Sequence, residues 1–422
     1  MLSARLVDVL ADPLQIGRAL ANRPGFAMAW DARPGGTSWI ACEPAGESAE
    51  LDPEIELPTQ GPLGLAHAPR WIGLLPYESC RGLERAYDTE RDARTPPHVL
   101  QPRWLRYGAV VEVRPGSVRV IGDDSGQVRR LAAAVLRTAA IGPACLELVA
   151  PVEAEAVHEQ RIREALKLIA KGELYQVNLA RLFRLRGSGH PIEHLARQGG
   201  RTRAAYGFAL DTAELGVVST SPEQFLRTYA DGRIVTSPIK GTRPRGRHAI
   251  DDAALARELE ADPKERAELT MVVDVERNDL GRICRAGSVR LLGPYATQTL
   301  PTLHHRVAHV SGLLRSGVSR RDVLAAMLPS GSVTGAPKVR AMEVIADLES
   351  ARRGLYTGAF GVLRHDGSLE LGMAIRTLTL VDGEAHYYAG GGIVADSDPA
   401  REVAETLWKA RQISETAQNW PA

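Results

Sequence analysis

The chain has 422 residues, 44% of them hydrophobic, and carries 52 basic against 51 acidic side chains, a formal net charge of +1. That length supports two domains or one large bilobal core, and the charge balance excludes an electrostatic footprint for nucleic acid or an anionic membrane. Arg5, Asp8 and Asp12 break the apolar N-terminus, so it reads as neither signal peptide nor spanning helix. Cys42, Cys80, Cys145 and Cys284 are scattered with no C-x-x-C pair, the pattern of reduced cysteines in a cytoplasmic protein without a zinc site.

Residues 1–150 are rich in Pro and Gly, with short β-like runs at 70–75 and 109–113 and turn signals at Arg33-Pro34-Gly35-Gly36 and Gly122-Asp123-Asp124. Residues 91–103 read as a loop and 128–140 as a helix, with a boundary expected near Gly142-Pro143 or Pro151. In 158–171, Ile162, Ala165, Leu166 and Ile169 recur at offsets of three and four, which marks an amphipathic helix stopped by Gly172. The stretch 175–183 alternates and reads as a strand. Residues 255–283 read as helix, with a break or fresh start at Pro263. Helices are expected at 323–327 and 338–348, strands at 360–363, 369–380 and 385–389. A Gly390-Gly391-Gly392 turn is then expected, followed by a further strand and a C-terminal helix that includes 402–413. Strands and helices come in mixed order without a βαβα rhythm, so the predicted class is α+β.

Glu265 and Glu268 lie three residues apart on one predicted helix face, as do Glu402 and Glu405 on another. Each pair alone reads as a solvated charged face, and Lys409, four residues after Glu405, fits an ordinary salt bridge equally well. If the two helices converge, the four carboxylates repel unless some are protonated or a divalent cation sits among them, and Mg2+ suits such oxygen donors. Ser330-Gly331-Ser332-Val333-Thr334-Gly335-Ala336-Pro337-Lys338 is only superficially a phosphate loop: its spacing is wrong and Pro337 offers no N–H. Arg376, read inside a strand between apolar neighbours, needs a carboxylate partner, either the protein's or a substrate's. Only six of the 52 basic residues are lysine: Lys167, Lys171, Lys240, Lys264, Lys338 and Lys409. Lys240, between Ile239 and Gly241-Thr242, stands out because a desolvated lysine can lose its proton and act as base or nucleophile, which arginine cannot.

Seven runs in order resemble the chorismate-utilising enzymes, a family that includes anthranilate synthase component I, 4-amino-4-deoxychorismate synthase component I, isochorismate synthase and salicylate synthase. They are Gly172–Ala180 (GELYQVNLA), Thr220–Glu223 (TSPE), Pro238–Pro244 (PIKGTRP), Val273–Arg282 (VDVERNDLGR), Gly331–Lys338 (GSVTGAPK), Ala374–Thr377 (AIRT) and Ala389–Ser397 (AGGGIVADS). The resemblance covers roughly 155–415; residues 1–150 match more weakly, chiefly at Tyr77-Glu78. It implies a large two-sheet α/β sandwich with outer helices and one Mg2+-dependent active site. Residues 1–150 would form the variable N-terminal part of the sandwich and 151–422 the chorismate-binding catalytic domain.

The same resemblance assigns roles. Water-adding members use a lysine base where Gln176 stands, and glutamine accepts no proton near neutral pH, so this chain resembles the members that use ammonia. Lysine at position 240, where anthranilate synthases typically have alanine, is the mark of 4-amino-4-deoxychorismate synthase, in which it is thought to add at C2 of chorismate before ammonia attacks C4. Glu223 matches the general acid for the departing hydroxyl. Glu268 and Glu405 match the Mg2+ ligands, with Glu265 and Glu402 close by. Arg376, Tyr356, Lys409 and the amides of Gly391 and Gly392 match groups that hold substrate carboxylates; Thr242 and Ser332 lie in the motifs beside them. His305 matches an active-site histidine, with His304 the competing assignment. Two features depart: Leu269 stands where His or Asn commonly follows the first metal glutamate, and Arg353-Gly354-Leu355-Tyr356-Thr357-Gly358-Ala359 looks closer to the anthranilate and salicylate enzymes than to the Cys-Gly form common in aminodeoxychorismate synthases. The implied reaction is amination of chorismate at C4, toward p-aminobenzoate and folate, with anthranilate synthase component I as the alternative. With no Cys-His-Glu glutaminase arrangement evident, a separate glutamine amidotransferase subunit is the expected ammonia source.

Overall fold

A computed structural model describes residues 2–7, 12–55, 65–80, 94, 97–137, 141–149, 153–202, 204–301, 303–414 and 417–418. Two large sheets face each other. One has 13 strands; along it run 3–7, 117–122, 109–114, 38–41, 26–30, 206–211, 216–221, 377–381, 384–393, 176–188, 145–148 and 417–418, with 335–336 paired to the side. The other has nine strands, in the order 290–291, 310–313, 233–237, 224–228, 369–373, 359–364, 69–75, 103–106 and 46–48. A small third sheet joins 239–244, 303–307 and 296–299. The two-sheet α+β sandwich expected from the sequence is the observed architecture.

Apolar residues from the facing sides of both sheets interdigitate, Ile72, Leu74, Phe360 and Val362 against Ala27, Phe208, Leu210 and Val217, with the Phe208 and Phe360 rings 4.9 Å apart. The outer face of the 13-stranded sheet is covered by helices Pro13–Ala21, Ser125–Ala134 and Pro191–Thr202, whose Ile16, Leu20, Leu131, Ile192 and Leu195 are buried there. Helices Pro263–Ile283 and Arg320–Met327 cover the other sheet through Leu269, Val273, Leu280, Val323 and Leu324. Strands buried on both faces explain why runs such as Ala109–Arg114 are nearly continuously apolar. The stretch before residue 150 gives strands to both sheets: 26–30 pairs with 206–211, and 69–75 with 359–364.

Local chemistry sets several boundaries. Asp262 caps Pro263–Ile283, its carboxylate accepting from the amides of Lys264 and Glu265, with Pro263 at the first helical position where its missing N–H costs nothing. Pro263 therefore begins a helix distinct from Ala249–Ala261. The helix read at 128–140 runs instead from Ser125 to Ala134, started earlier by the Asp124 cap on the Gln127 amide; 138–140 lie outside the described residues. Of the loop read at 91–103, residues 91–93, 95 and 96 also lie outside, and Arg103 already begins a strand.

Two expectations near the C-terminus are corrected. The strand read over 369–380 is two strands in different sheets, Leu369–Met373 and Thr377–Val381. Arg376 sits in the gap between them at φ +52°, not inside a strand. Gly390-Gly391-Gly392 is no turn: it lies within strand Glu384–Ile393, paired with Asn178–Ala180, and the chain then enters helix Pro399–Ser414 without a further strand. A side chain at Gly390 would strike the Leu179 carbonyl, its ideal Cβ only 2.5 Å away, so backbone approach explains the glycine. No described helix is long and apolar enough to cross a membrane.

Arg353 and Glu349 form a fully buried pair (2.7 Å) that holds the wall of the sandwich together. Arg353 also donates to the carbonyls of Val333 and Asn178, and Glu349 accepts the Ala180 amide. Arg353→Ala leaves the Glu349 charge buried without its partner, and a loss of about 3–5 kcal/mol is expected by urea denaturation. A loss below about 1 kcal/mol would put the pair on a par with ordinary surface ion pairs.

Candidate active site

Two neighbouring strands cross from one sheet to the other side by side. Strands Gly216–Ser221 and Thr377–Val381 pair in the larger sheet, and their continuations Gln224–Thr228 and Leu369–Met373 pair in the smaller one. The crossing is stitched by the Thr220 amide to the Arg376 carbonyl (3.2 Å), the Ser219 hydroxyl to the Ile375 carbonyl (3.2 Å) and the Met373 amide to the Glu223 carbonyl (3.0 Å). Pro222-Glu223 and Ala374-Ile375-Arg376 are the crossing segments, so an acid and a guanidinium face the same gap between sheets. That gap is a cavity of about 440 Å³, within the range of small-molecule sites.

The third wall comes from strand Ile239–Pro244. A bulge between Lys240 and Thr242, paired to Arg306 and His305, requires Gly241 at φ +77°, a conformation natural to glycine. An ideal Cβ at Gly241 would also lie 2.8 Å from Leu259 and 2.9 Å from a Glu265 oxygen. The bulge sets Lys240 and Thr242 on the cavity. The Lys240 amine makes no hydrogen bond or ion pair among the described residues; burial lowers its pKa, Glu268 opposes that, and Lys409 adds to it. Arg376 likewise has no carboxylate partner among the described residues, although it lines a buried cavity.

Glu223 is buried, and burial pushes its carboxyl up to about 7; the hydroxyl of Ser332, donating to it at 2.8 Å, and the nearby Lys240 act in the opposite direction. His305 bonds Thr242 Oγ1 through Nδ1 at 3.0 Å, while its buried Nε2 has no partner. Burial, then the Arg376 charge, lower its pKa to about 3, so the ring is neutral at pH 7. His304 points elsewhere, bound to Thr299 (2.9 Å) and Asp252 (2.9 Å), and does not line the cavity.

Helices Pro263–Ile283 and Pro399–Ser414 bring Glu265, Glu268, Glu402 and Glu405 to one side of the same cavity. Each carboxylate has its own neighbour: Glu265 meets Arg243 (3.4 Å), Glu268 Lys264 (3.9 Å), Glu402 Ser397 (2.7 Å) and Glu405 Lys409 (2.6 Å). Burial raises Glu268 and Glu402, and the charges of Glu265 and Glu405 respectively raise them further. Burial works against ionisation of Glu405, but Lys409 holds it below its ordinary value. Four oxygen donors whose mutual repulsion is incompletely offset are chemically suited to a hard divalent cation such as Mg2+. Their ligand atoms are not gathered within 4.8 Å of one another. Among the described residues the one cluster that is so gathered is His98, Glu384 and His386. There the two imidazoles stack in parallel at 3.8 Å, so their in-plane lone pairs do not meet at one point.

Tyr356, stacked on Tyr388, lines the cavity along with Ser332, Lys409, Thr242 and Gly392. Lys409 also donates to the Gly390 carbonyl at 2.8 Å. Two expected residues are not in the wall. Gln176 is buried against Gly392, whose ideal Cβ would lie 2.3 Å from the Gln176 Nε2 and 3.5 Å from the Lys240 amine, and the Gln176 side-chain amide has no partner among the described residues. Gly391 turns toward Glu402 and Glu405, 3.1 and 3.4 Å from its ideal Cβ position. Alternation along the strand separates Gly391 from Gly390 and Gly392, whereas Gln176 shares its face with the cavity-lining Asn178 and sits at the edge of the wall. Lys338 lies outside the cavity, paired to the buried Asp279. Sequence reading did not single out Asn178, Tyr387 or Trp408, all in the wall, although Asn178 lies within the run Gly172–Ala180 and Trp408 stands beside Lys409 on its helix.

The raised Glu223 carboxyl sets a stability prediction. The folded protein holds this proton more tightly than the unfolded chain, so its contribution is complete below about pH 4.5 and is lost as pH rises through about 7. Between pH 5 and pH 8 the wild type should therefore lose stability relative to Glu223→Gln in urea titrations. An unchanged difference would show that Glu223 is not held protonated.

The sequence model of the family described as chorismate binding enzyme matches residues 47–415. Anthranilate synthase component 1 of Thermus thermophilus is 43% identical over 255 residues, 60% of this chain and 55% of that protein. Aminodeoxychorismate synthase component 1 of Klebsiella aerogenes is 40% identical over 254 residues, 60% of this chain and 56% of that one. The aligned stretch thus spans about half the length of these curated relatives. The solved structure of anthranilate synthase component I from Streptococcus pneumoniae superposes with a TM-score of 0.73 at 25% identity, over 97% of this chain and 91% of that one. The chain belongs to the chorismate binding enzyme family.

Proposed function

We propose that this protein aminates chorismate at C4 to give 4-amino-4-deoxychorismate, using ammonia from a separate glutamine amidotransferase subunit. The observation that carries the reading is Lys240: a lysine amine without a hydrogen-bond or ion-pair partner among the described residues, facing the same cavity as Glu223 and Arg376. Desolvation enlarges its uncharged, nucleophilic fraction.

In this reading Arg376, Lys409, Tyr356 and the backbone around Gly391 and Gly392 receive the substrate's carboxylates, with Thr242 and Ser332 beside them. A Mg2+ held by Glu268 and Glu405, with Glu265 and Glu402 close by, would supply charge neutralisation and orientation at a ring carboxylate. Lys240 Nζ bonds to C2, both conjugated ring double bonds shift by one position, and the C4–O bond breaks as Glu223 delivers its proton to the departing hydroxyl, which leaves as water. Ammonia then bonds to C4, the double bonds shift back and the C2–N bond to Lys240 breaks. The proton shed by the new ammonium restores Glu223. Gln176, which accepts no proton near neutral pH, offers no base for adding water instead.

Anthranilate synthase component I is the second reading. It is favoured by the 43% identity to such a relative and by the run Arg353-Gly354-Leu355-Tyr356. The 40% identity to an aminodeoxychorismate synthase component over a stretch of the same length leaves Lys240 to discriminate.

Incubation of the purified chain with chorismate, Mg2+ and ammonium, followed by product identification, tests both. A product that added lyase converts to p-aminobenzoate supports C4 amination, and fluorescent anthranilate sinks it. Lys240→Ala should lose C4 amination, and full activity in that variant would refute the covalent role. Glu223→Gln should slow turnover by roughly 10²–10⁴-fold. Chelation of Mg2+ should stop the reaction, and Glu268→Gln should raise the Mg2+ concentration needed for half-maximal rate.

A further inference from the structure

Behind Glu223 lies a second carboxyl that the reaction scheme does not use. Glu276, on helix Pro263–Ile283, is buried against the segment that holds Ser330 and Ser332. Four side-chain oxygens form an unbroken row: Glu223 Oε1 to Ser332 Oγ at 2.8 Å, Ser332 Oγ to Ser330 Oγ at 2.9 Å, and Ser330 Oγ to Glu276 Oε1 at 2.5 Å. All four residues are buried, and the other Glu276 oxygen has no partner among the described residues. The Ser332 amide, donating to Ser330 Oγ at 3.1 Å, fixes the two hydroxyls side by side.

A proton count follows. Three oxygen–oxygen hydrogen bonds need three protons, and two serine hydroxyls supply two. The third has to come from a carboxyl. With both acids ionised, the serine oxygens would face each other without a proton, between two buried negative charges. With one proton, the row has two equivalent senses, Glu276 acid to Glu223 carboxylate or the reverse. They interconvert when each hydroxyl passes its proton to one neighbour and takes one from the other.

We infer that Glu223 and Glu276 share a single proton through Ser332 and Ser330, so that Glu276 is a positioning residue that keeps the cavity-facing acid loaded. This rests on the reading of Glu223 as the acid for the departing hydroxyl. No bond to carbon is involved and no co-reactant is needed: one proton moves along three links, and the total is unchanged until Glu223 gives it up. The raised pKa of Glu223 is consistent with this, since burial and then the Glu276 charge both push it upward. The charged groups facing the pair are Lys240 from strand Ile239–Pro244 and Asp279 from the helix of Glu276. Lys338 lies beyond, on the helix Lys338–Leu348.

Infrared difference spectra of the substrate-free protein at neutral pH test the sharing without relying on turnover. The wild type should show a protonated-carboxyl band that is missing from both Glu223→Gln and Glu276→Gln, because either amide supplies the third proton itself. Loss in one variant alone, or in neither, overturns the sharing. The role in the reaction is read separately from the pH dependence of kcat. Glu276→Gln removes the repelling charge and fixes a donor toward Glu223, so the alkaline limb should move to lower pH by about one unit. A merely structural role would lower stability and leave that limb in place, and an unmoved limb overturns the role. If Glu276→Gln does not fold, Ser330→Ala reads the same link: cutting the row should move the limb in the same direction. A chain that does not turn over chorismate at all refutes the reaction scheme, while the spectra still decide the sharing.

Discussion

The site depends on two antiparallel strands that leave one sheet and enter the other together. A single crossing strand would strand its backbone groups in the interior, but the paired crossing satisfies them through the bonds between Thr220 and Arg376, Ser219 and Ile375, and Met373 and Glu223. The cost of the crossing is a pair of short non-strand segments in a buried place. Those segments are where Glu223 and Arg376 sit, the latter at φ +52°. Local backbone departures of this kind persist only where surrounding structure determines them, and here the two sheets do so.

Burial then does the electrostatic work. The same removal from water raises Glu223, lowers Lys240 and keeps His305 neutral, so one cavity holds an acid that binds its proton more tightly and an amine that binds its proton less tightly than in water. Across the cavity, burial and mutual repulsion raise Glu268 and Glu402, while Lys409 keeps Glu405 ionised. The Arg353–Glu349 pair, fully hydrogen-bonded, supports the wall by joining the carbonyls of Val333 and Asn178 to the Ala180 amide. Its position explains why the Arg353–Tyr356 run carries motif character without touching the cavity through Arg353.

Much of this was legible in sequence. The helices with a 3.6-residue apolar repeat and the strands around 70–75, 109–113 and 176–183 follow from local pattern. So does the fresh start at Pro263, which needs only the Asp262 cap and the chemistry of proline. The carboxylate pairs were visible as i,i+3 spacings, and their convergence on one cavity is a tertiary fact. The misread elements have a common cause. Residues 374–376 carry no breaker, so a continuous β-like run hid a change of sheet, and three glycines that look like a turn are a strand whose neighbours leave no room for side chains.

By itself the sequence determined the α+β class, the order of the motifs and the residue types that bear chemistry, because periodicity, capping and spacing are local properties of a chain. Tertiary structure alone decided which of those residues meet. Gly390 and Gly392 line the cavity while Gly391 between them does not, since successive positions of a strand present to opposite faces of a sheet. Glu276, unremarkable on its helix, comes to rest two hydroxyls from Glu223 because Ser330 and Ser332 are folded between them. Contacts of that kind join residues more than fifty positions apart in the chain, and only packing can fix them.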